Sequence, residues 1–185
     1  DKEKIAKTTY LIHSDLYANW VFDPTHPTQG RRFINAKKLL EEQVGNTKTP
    51  LSIVEPRLAT KSELSRVHSS QYIDEVLESH ITGQWTGTRP DLSELAALFA
   101  GGTLVALDSL LTGKAKTAIH FPGAKHHAQY DYSSGFCVFA DFALAADIAT
   151  KDFSKKVAIL DFDAHHGDGT ENLTAENPNV LTYSI

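Results

Sequence analysis

Two spacings of apolar residues alternate along the chain. Residues 157–160 are a short continuous apolar run, the pattern of a buried parallel strand, and strand-like runs also occur at 116–121 and 180–185. Between and before them the apolar positions fall at helical spacing. Phe33, Ala36, Leu40 and Val44, with Lys37 among them, mark an amphipathic helix over 31–44 lying on a sheet face. Thr60-Lys61-Ser62-Glu63 has the spacing of a capping box, so a helix begins there. Tyr72, Ile73, Val76 and Leu77 continue the helical pattern over 70–77. The segment 93–111, rich in Leu and Ala and followed by Gly113 as a stop signal, is the strongest helix. Gly101-Gly102 inside it weakens an isolated helix by about 1 kcal/mol per glycine, so a close packing contact is expected there. A further helix is expected over 141–150, between two of the strands. Strands alternating with helices predict an α/β fold with a parallel sheet whose loops carry the chemistry at its carboxyl edge.

Composition narrows the class. The chain has 185 residues, 41% of them hydrophobic, enough for one domain with a substantial core. Neither a basic-then-apolar leader nor an apolar run near the roughly 20 residues of a membrane span stands out, so a soluble, cytoplasmic protein is expected. Net charge is -5 and no basic run occurs, which argues against direct nucleic-acid binding. A mildly acidic surface favours cationic substrates only weakly. The single cysteine, Cys137, has no internal disulfide partner; packing in the core is its expected role rather than nucleophilic chemistry.

The chemistry is concentrated after two of the strands. Asp161-Phe162-Asp163-Ala164-His165-His166-Gly167-Asp168-Gly169-Thr170 follows the run 157–160. Residues two apart on a strand share a face, so Asp161, Asp163 and His165 converge where it runs out. A carboxylate and an imidazole suit zinc or a similar divalent ion. The competing reading is an acidic turn punctuated by Gly167 and Gly169. A second segment weighs against it: Pro122-Gly123-Ala124-Lys125-His126-His127 follows the run 116–121 and leads to Ser134-Gly135-Phe136-Cys137. Paired histidines beside a metal site are what metal-assisted hydrolysis needs for proton transfer.

In this order the His-His pair, Ser-Gly-Phe-Cys and Asp-x-Asp-x-His-His-Gly-Asp-Gly resemble the zinc-dependent histone deacetylase family, with its acetoin-utilisation and acetylpolyamine amidohydrolase relatives. Weaker similarity extends through His26-Pro27, Val67-His68-Ser69 and 180–185. The resemblance implies the arginase-deacetylase fold: three layers, a mostly parallel sheet with helices on both faces. The related arginases carry an acid where this chain has Gly167, so one catalytic metal is implied rather than two. Asp163 and His165 are implied zinc ligands, Zn2+ or another divalent ion being the cofactor. His127 is the implied general base and acid, and His126 its electrostatic partner, oriented by Asp168 and Asp161 respectively. Gly135 and Phe136 correspond to the substrate tunnel wall. Asp161, Asp163, His165 and Ser184 correspond to a potassium site. His166 is not an implied ligand.

The implied activity is hydrolysis of an N-acetyl amide on a lysine peptide or a polyamine. Residues 1–185 then form the N-terminal part of a single deacetylase domain, because the family's remaining zinc ligand and its transition-state tyrosine lie beyond Ile185. The alternative is a noncatalytic metal-binding or interaction module on the same fold. The segment 17–30, with Trp20, Phe22 and two prolines, reads either as an aromatic entrance loop or as a surface loop with hydrophobic anchors. His13, His68, His80 and His120 match no ligand spacing and read as ordinary surface or core residues. Substrate choice, acyl preference and oligomeric state are not written in these motifs.

Overall fold

A computed structural model describes residues 8–46, 50–83 and 88–185. Among the described residues, five parallel strands are arranged in two groups. β1 (Thr9–Ile12) lies between β2 (Leu51–Val54) and β3 (Thr117–Ile119), while β4 (Val157–Asp161) pairs with β5 (Val180–Ser184). The helices are α1 (Arg31–Val44), α2 (Lys61–Leu64), α3 (Ser70–Leu77), α4 (Pro90–Leu111), α5 (Asp141–Lys151) and α6 (Asp168–Thr174). A 3-10 turn, Asp15–Asn19, follows β1.

The three strands predicted at 116–121, 157–161 and 180–185 are present, with β3 shorter than expected. It ends before His120, whose ring turns inward, and before Pro122, which has no N–H to donate to a ladder. β1 and β2 were not anticipated: each has four residues, too few to show a period. Thr60 and Glu63 make both halves of the capping box, although the helix they start is a single turn. α4 begins three residues before the expected start because Pro90 fits the first helical position, where no N–H is required. Gly113 follows its C-cap at φ 71°.

α4 is the central helix. By length and composition alone it could cross a membrane, which departs from the expectation of no such run; 61% of its apolar window is buried inside the fold. It packs on β1, β3, α3 and α5, with Leu92, Phe99 and Leu104 in a core shared with Trp20, Ile73, Phe139 and Leu144. The glycine pair permits this closeness. A Cβ on Gly101 would stand 1.8 Å from the Arg57 carbonyl oxygen, and one on Gly102 would stand 2.4 Å from His120 Nε2. α1 departs from its expected place: its main neighbour is the 3-10 turn rather than a sheet face, and Phe33 reaches the core edge-on to Tyr17 and Phe99.

Candidate active site

Strand pairing sets the first half of the site. Asp161 ends β4 directly opposite Ser184 of β5. The chain then leaves the sheet in a loop stitched by its own carboxylates: Asp163 N–H donates to Asp161 Oδ1 (3.1 Å), and His165 N–H donates to Asp163 Oδ1 (2.8 Å). α6 starts at Asp168, a helix not anticipated within the motif, and Thr170 N–H donates to the His126 carbonyl (3.1 Å). The second half, residues 122–128, follows β3 and is thereby clamped against the first turn of α6.

Two carboxylate–imidazole pairs result. His126 Nδ1 lies 2.7 Å from Asp161 Oδ2, and His127 Nδ1 lies 2.7 Å from Asp168 Oδ1. A carboxylate accepts only, so each Nδ1 carries a hydrogen, and in the neutral tautomer this fixes, Nε2 is the nitrogen with the lone pair. The two rings are 4.0 Å apart at 44°. Burial works against ionisation of Asp168, but its bonds from His127 and from the Gly169 N–H outweigh that and hold its carboxyl below the usual carboxylate range. Asp163 is held low by the N–H and the ring of His165.

Two further residues support the His127 pair, and neither was read from the sequence. Gln129 Nε2 donates to Asp168 Oδ2 (3.1 Å), and Asn172 Nδ2 donates to Gln129 Oε1 (3.0 Å), which fixes which way the amide faces. The only signal was the four-residue spacing of Asp168 and Asn172, visible once a helix is known to start there.

Asp163 and His165 come together beside these pairs. His165 Nδ1 is 2.9 Å from Asp163 Oδ1, which in turn lies 3.9 Å from His126 Nε2. Both side chains are at least half exposed, and an open pocket lined by His126, Phe142, Asp161, Phe162 and Asp163 adjoins them. One carboxylate oxygen and one imidazole nitrogen fit zinc or a similar ion as part of a ligand set. No group of three or more His, Cys, Asp or Glu side chains suited to hold an ion occurs among the described residues. Ser184 Oγ accepts the Gly167 N–H (3.1 Å) next to Asp161. A Cβ on Gly167 would stand 2.5 Å from Asp161 Oδ2, so an acid there would displace the carboxylate that holds His126. His166 turns away and pairs with Glu171 at 2.5 Å.

Gly135 and Phe136 form the tip of a two-residue turn between Ser134 and Cys137, whose backbone groups bond in both directions. Both tip residues have positive φ, 51° and 63°, as a hairpin turn of the mirror-image type requires. Such strain in a non-glycine residue is concentrated at functional sites. Phe136 stacks on Phe22 (centroids 5.1 Å apart, 23°) and touches His26 (4.4 Å), so part of the segment 17–30 does reach the site. Trp20 does not: it is 1% exposed and packs on Phe99 in the core. Cys137 is buried, and burial pushes its thiol pKa up, as suits a packing residue. His68 is buried and His120 is partly buried, and each is hydrogen-bonded at both ring nitrogens.

Residues 26–185 match the family described as Histone deacetylase domain. The acetoin utilization protein AcuC of Bacillus subtilis (strain 168) is 35% identical over 192 residues, which cover 97% of this chain and 49% of that protein. AcuC of Staphylococcus aureus (strain MRSA252) is 32% identical, with 100% of this chain and 50% of the relative covered. Histone deacetylase clr6 of Schizosaccharomyces pombe is 30% identical, covering 97% of this chain and 47% of the relative. The crystal structure of the HDA15 HD domain superposes with a TM-score of 0.83 at 26% identity, covering 97% of this chain and 53% of that one. The chain thus spans about half the length of these relatives. Its α/β architecture of parallel strands and helices is that of the arginase-deacetylase fold, and the chain belongs to the histone deacetylase family.

Proposed function

We propose that this protein is a deacetylase that hydrolyses an N-acetyl amide of a lysine peptide or a polyamine, releasing acetate and the free amine. The observation that carries this reading is the pair of carboxylate-held imidazoles, His126–Asp161 and His127–Asp168, beside Asp163 and His165. In it, Asp163 and His165 hold zinc or another divalent ion together with ligands from outside the described residues. That ion supplies Lewis-acid polarisation of the acyl carbonyl and lowers the pKa of water towards roughly 7.

The chain's own residues move the protons. With Asp168 holding the hydrogen of the neutral ring on Nδ1, His127 Nε2 is the atom that takes the proton of the attacking water and returns it to the departing amine. Asp168, already an anion, stabilises the imidazolium in between. His126 stays oriented by Asp161 and contributes its dipole to the charge that develops on the acyl oxygen. Phe136 and Phe22 supply flat apolar walls for an alkyl stem. Asp161 and Ser184, opposite each other across β4 and β5, supply the oxygen chemistry of a potassium site.

Acetate release from an acetyl-lysine peptide and from an N-acetylpolyamine by the full-length protein, with and without a chelator, tests the reading. Asp163→Asn is expected to lose both bound metal and turnover. Unchanged metal content and turnover in that variant would overturn the assignment. Metal bound without turnover on either substrate would favour a noncatalytic metal-binding module instead.

A further inference from the structure

Between β3, α4 and α5 runs a largely buried series of hydrogen bonds that takes no part in the proton transfers above. Tyr17 Oη lies 2.8 Å from His120 Nε2, His120 Nδ1 lies 2.9 Å from Thr103 Oγ1, and Thr103 Oγ1 donates to Asp141 Oδ2 at 2.6 Å. Their direction follows from donor inventory. The carboxylate only accepts, so the Thr103 hydrogen points at Asp141, and the hydroxyl then has only lone pairs for His120. His120 therefore carries its hydrogen on Nδ1, and Tyr17 donates to the bare Nε2. Burial, with Lys125 and His13 adding to it, pushes the His120 pKa down to about 3, in keeping with a neutral ring bearing a single hydrogen. Every donor in the series points towards Asp141, the arrangement in which hydrogen bonds polarise and strengthen one another.

Asp141 passes this on to the site. Its side chain is fully buried, and it opens α5 without serving that helix, which has no side-chain cap. It reaches instead into the neighbouring loop, where Oδ2 accepts the Ala124 N–H (3.0 Å) and Oδ1 accepts the Lys125 N–H (2.7 Å). Ala124 sits at φ 59°, a left-handed conformation that strains an L-residue. His126 and His127 follow immediately. Without the carboxylate, the Ala124 and Lys125 amides lose their acceptor and the strained Ala124 relaxes, which re-aims the backbone that leads into His126 and His127.

We infer that Asp141, held in place by Thr103, His120 and Tyr17, is a positioning residue that fixes the backbone conformation presenting His126 and His127. This rests on the deacetylase reading only in naming what the histidines do. In the full-length protein, Thr103→Val removes the hydroxyl at nearly constant volume, Thr103→Ser keeps it, and Asp141→Asn replaces an acceptor by a donor. Since a misplacement of about 1 Å costs on the order of a hundredfold, Thr103→Val and Asp141→Asn are expected to lower kcat by about ten- to a hundredfold, leaving KM within about twofold. Thr103→Ser is expected to restore kcat to within about threefold. Amide hydrogen exchange at residues 124 and 125 reports the same geometry without any substrate and is expected to accelerate at least about tenfold in Thr103→Val but not in Thr103→Ser. Equal losses of kcat in the Ser and Val variants, or unchanged exchange in Thr103→Val, would overturn the inference. Absence of turnover in the unmodified protein would overturn the deacetylase reading alone, because the exchange rates would still decide the positioning role. If Asp141→Asn does not fold, the Thr103 pair carries the test.

Discussion

Gly135 lies directly against the ring of His127: a Cβ at Gly135 would stand 2.3 Å from His127 Cδ2 and 2.9 Å from Cγ. The turn that presents Phe136 is thus also one wall of the slot in which the imidazole sits.

Gly135→Ala is therefore expected to push the ring away from Asp168. The added methyl also sits at φ 51°, so a stability loss of about 1–2 kcal/mol accompanies it. In the full-length protein, acetate release is expected to fall by on the order of a hundredfold while the thermal unfolding midpoint moves by only a few degrees. Turnover within twofold of the unmodified protein would show that the ring has room to spare.

Trp20 and Phe22, two residues apart, are expected to respond differently to truncation. Trp20→Ala opens a cavity against Phe99 and is expected to cost about 3–5 kcal/mol in denaturant unfolding. Phe22→Ala removes the plate stacked on Phe136 and is expected to alter KM ratios between short and bulky acyl-lysine substrates, with a smaller stability loss. Equal stability losses at both positions, or unchanged KM ratios in Phe22→Ala, would contradict this division.

Acid sensitivity is expected from His68. Its Nδ1–H donates to the Gln129 carbonyl and its Nε2 accepts the Ala140 N–H, so the ring is needed neutral. Burial lowers its pKa from 6.5 to about 4. Between those values the unfolded chain binds the extra proton, so stability rises with pH across the window and falls on acidification. The shift corresponds to roughly 3 kcal/mol lost between pH 6.5 and 4. The stability difference between the unmodified protein and His68→Gln, measured in urea at several pH values, is expected to shrink as pH falls. A constant difference would refute the assignment to His68.

The parts of the fold legible in the sequence were those with long periods or dense motifs. α1, α3, α4 and α5 carry enough residues to show a helical stripe, β4 opens with an uninterrupted apolar run, and β5 alternates apolar with polar residues after Leu181. β1 and β2 are too short, and α6 opens with Asp, Gly and Thr, a composition that reads as a turn. The pairing of His126 with Asp161 and of His127 with Asp168 could be anticipated only through family resemblance, since it joins residues 35 and 41 positions apart. Asp141, Thr103, His120 and Tyr17 were illegible for a further reason: each is an unremarkable polar residue until tertiary packing sets it beside the next. The place of Trp20 stayed open between two readings because an aromatic residue in a proline-flanked loop looks the same whether it faces a ligand or the core.

The glycine pair of α4 sets a limit on engineering this protein. Replacing a mid-helix glycine by alanine is a routine stabilising change, worth about 1 kcal/mol where the helix surface is open. At Gly101 the new methyl would meet the Arg57 backbone at 1.8 Å, and at Gly102 it would wedge between His120 and the Tyr17 hydroxyl. Ranking substitutions by helix preference would thus select the two changes most damaging to the interior. The slimness of this helix, more than its length, is what must be kept in any thermostabilised or redesigned version.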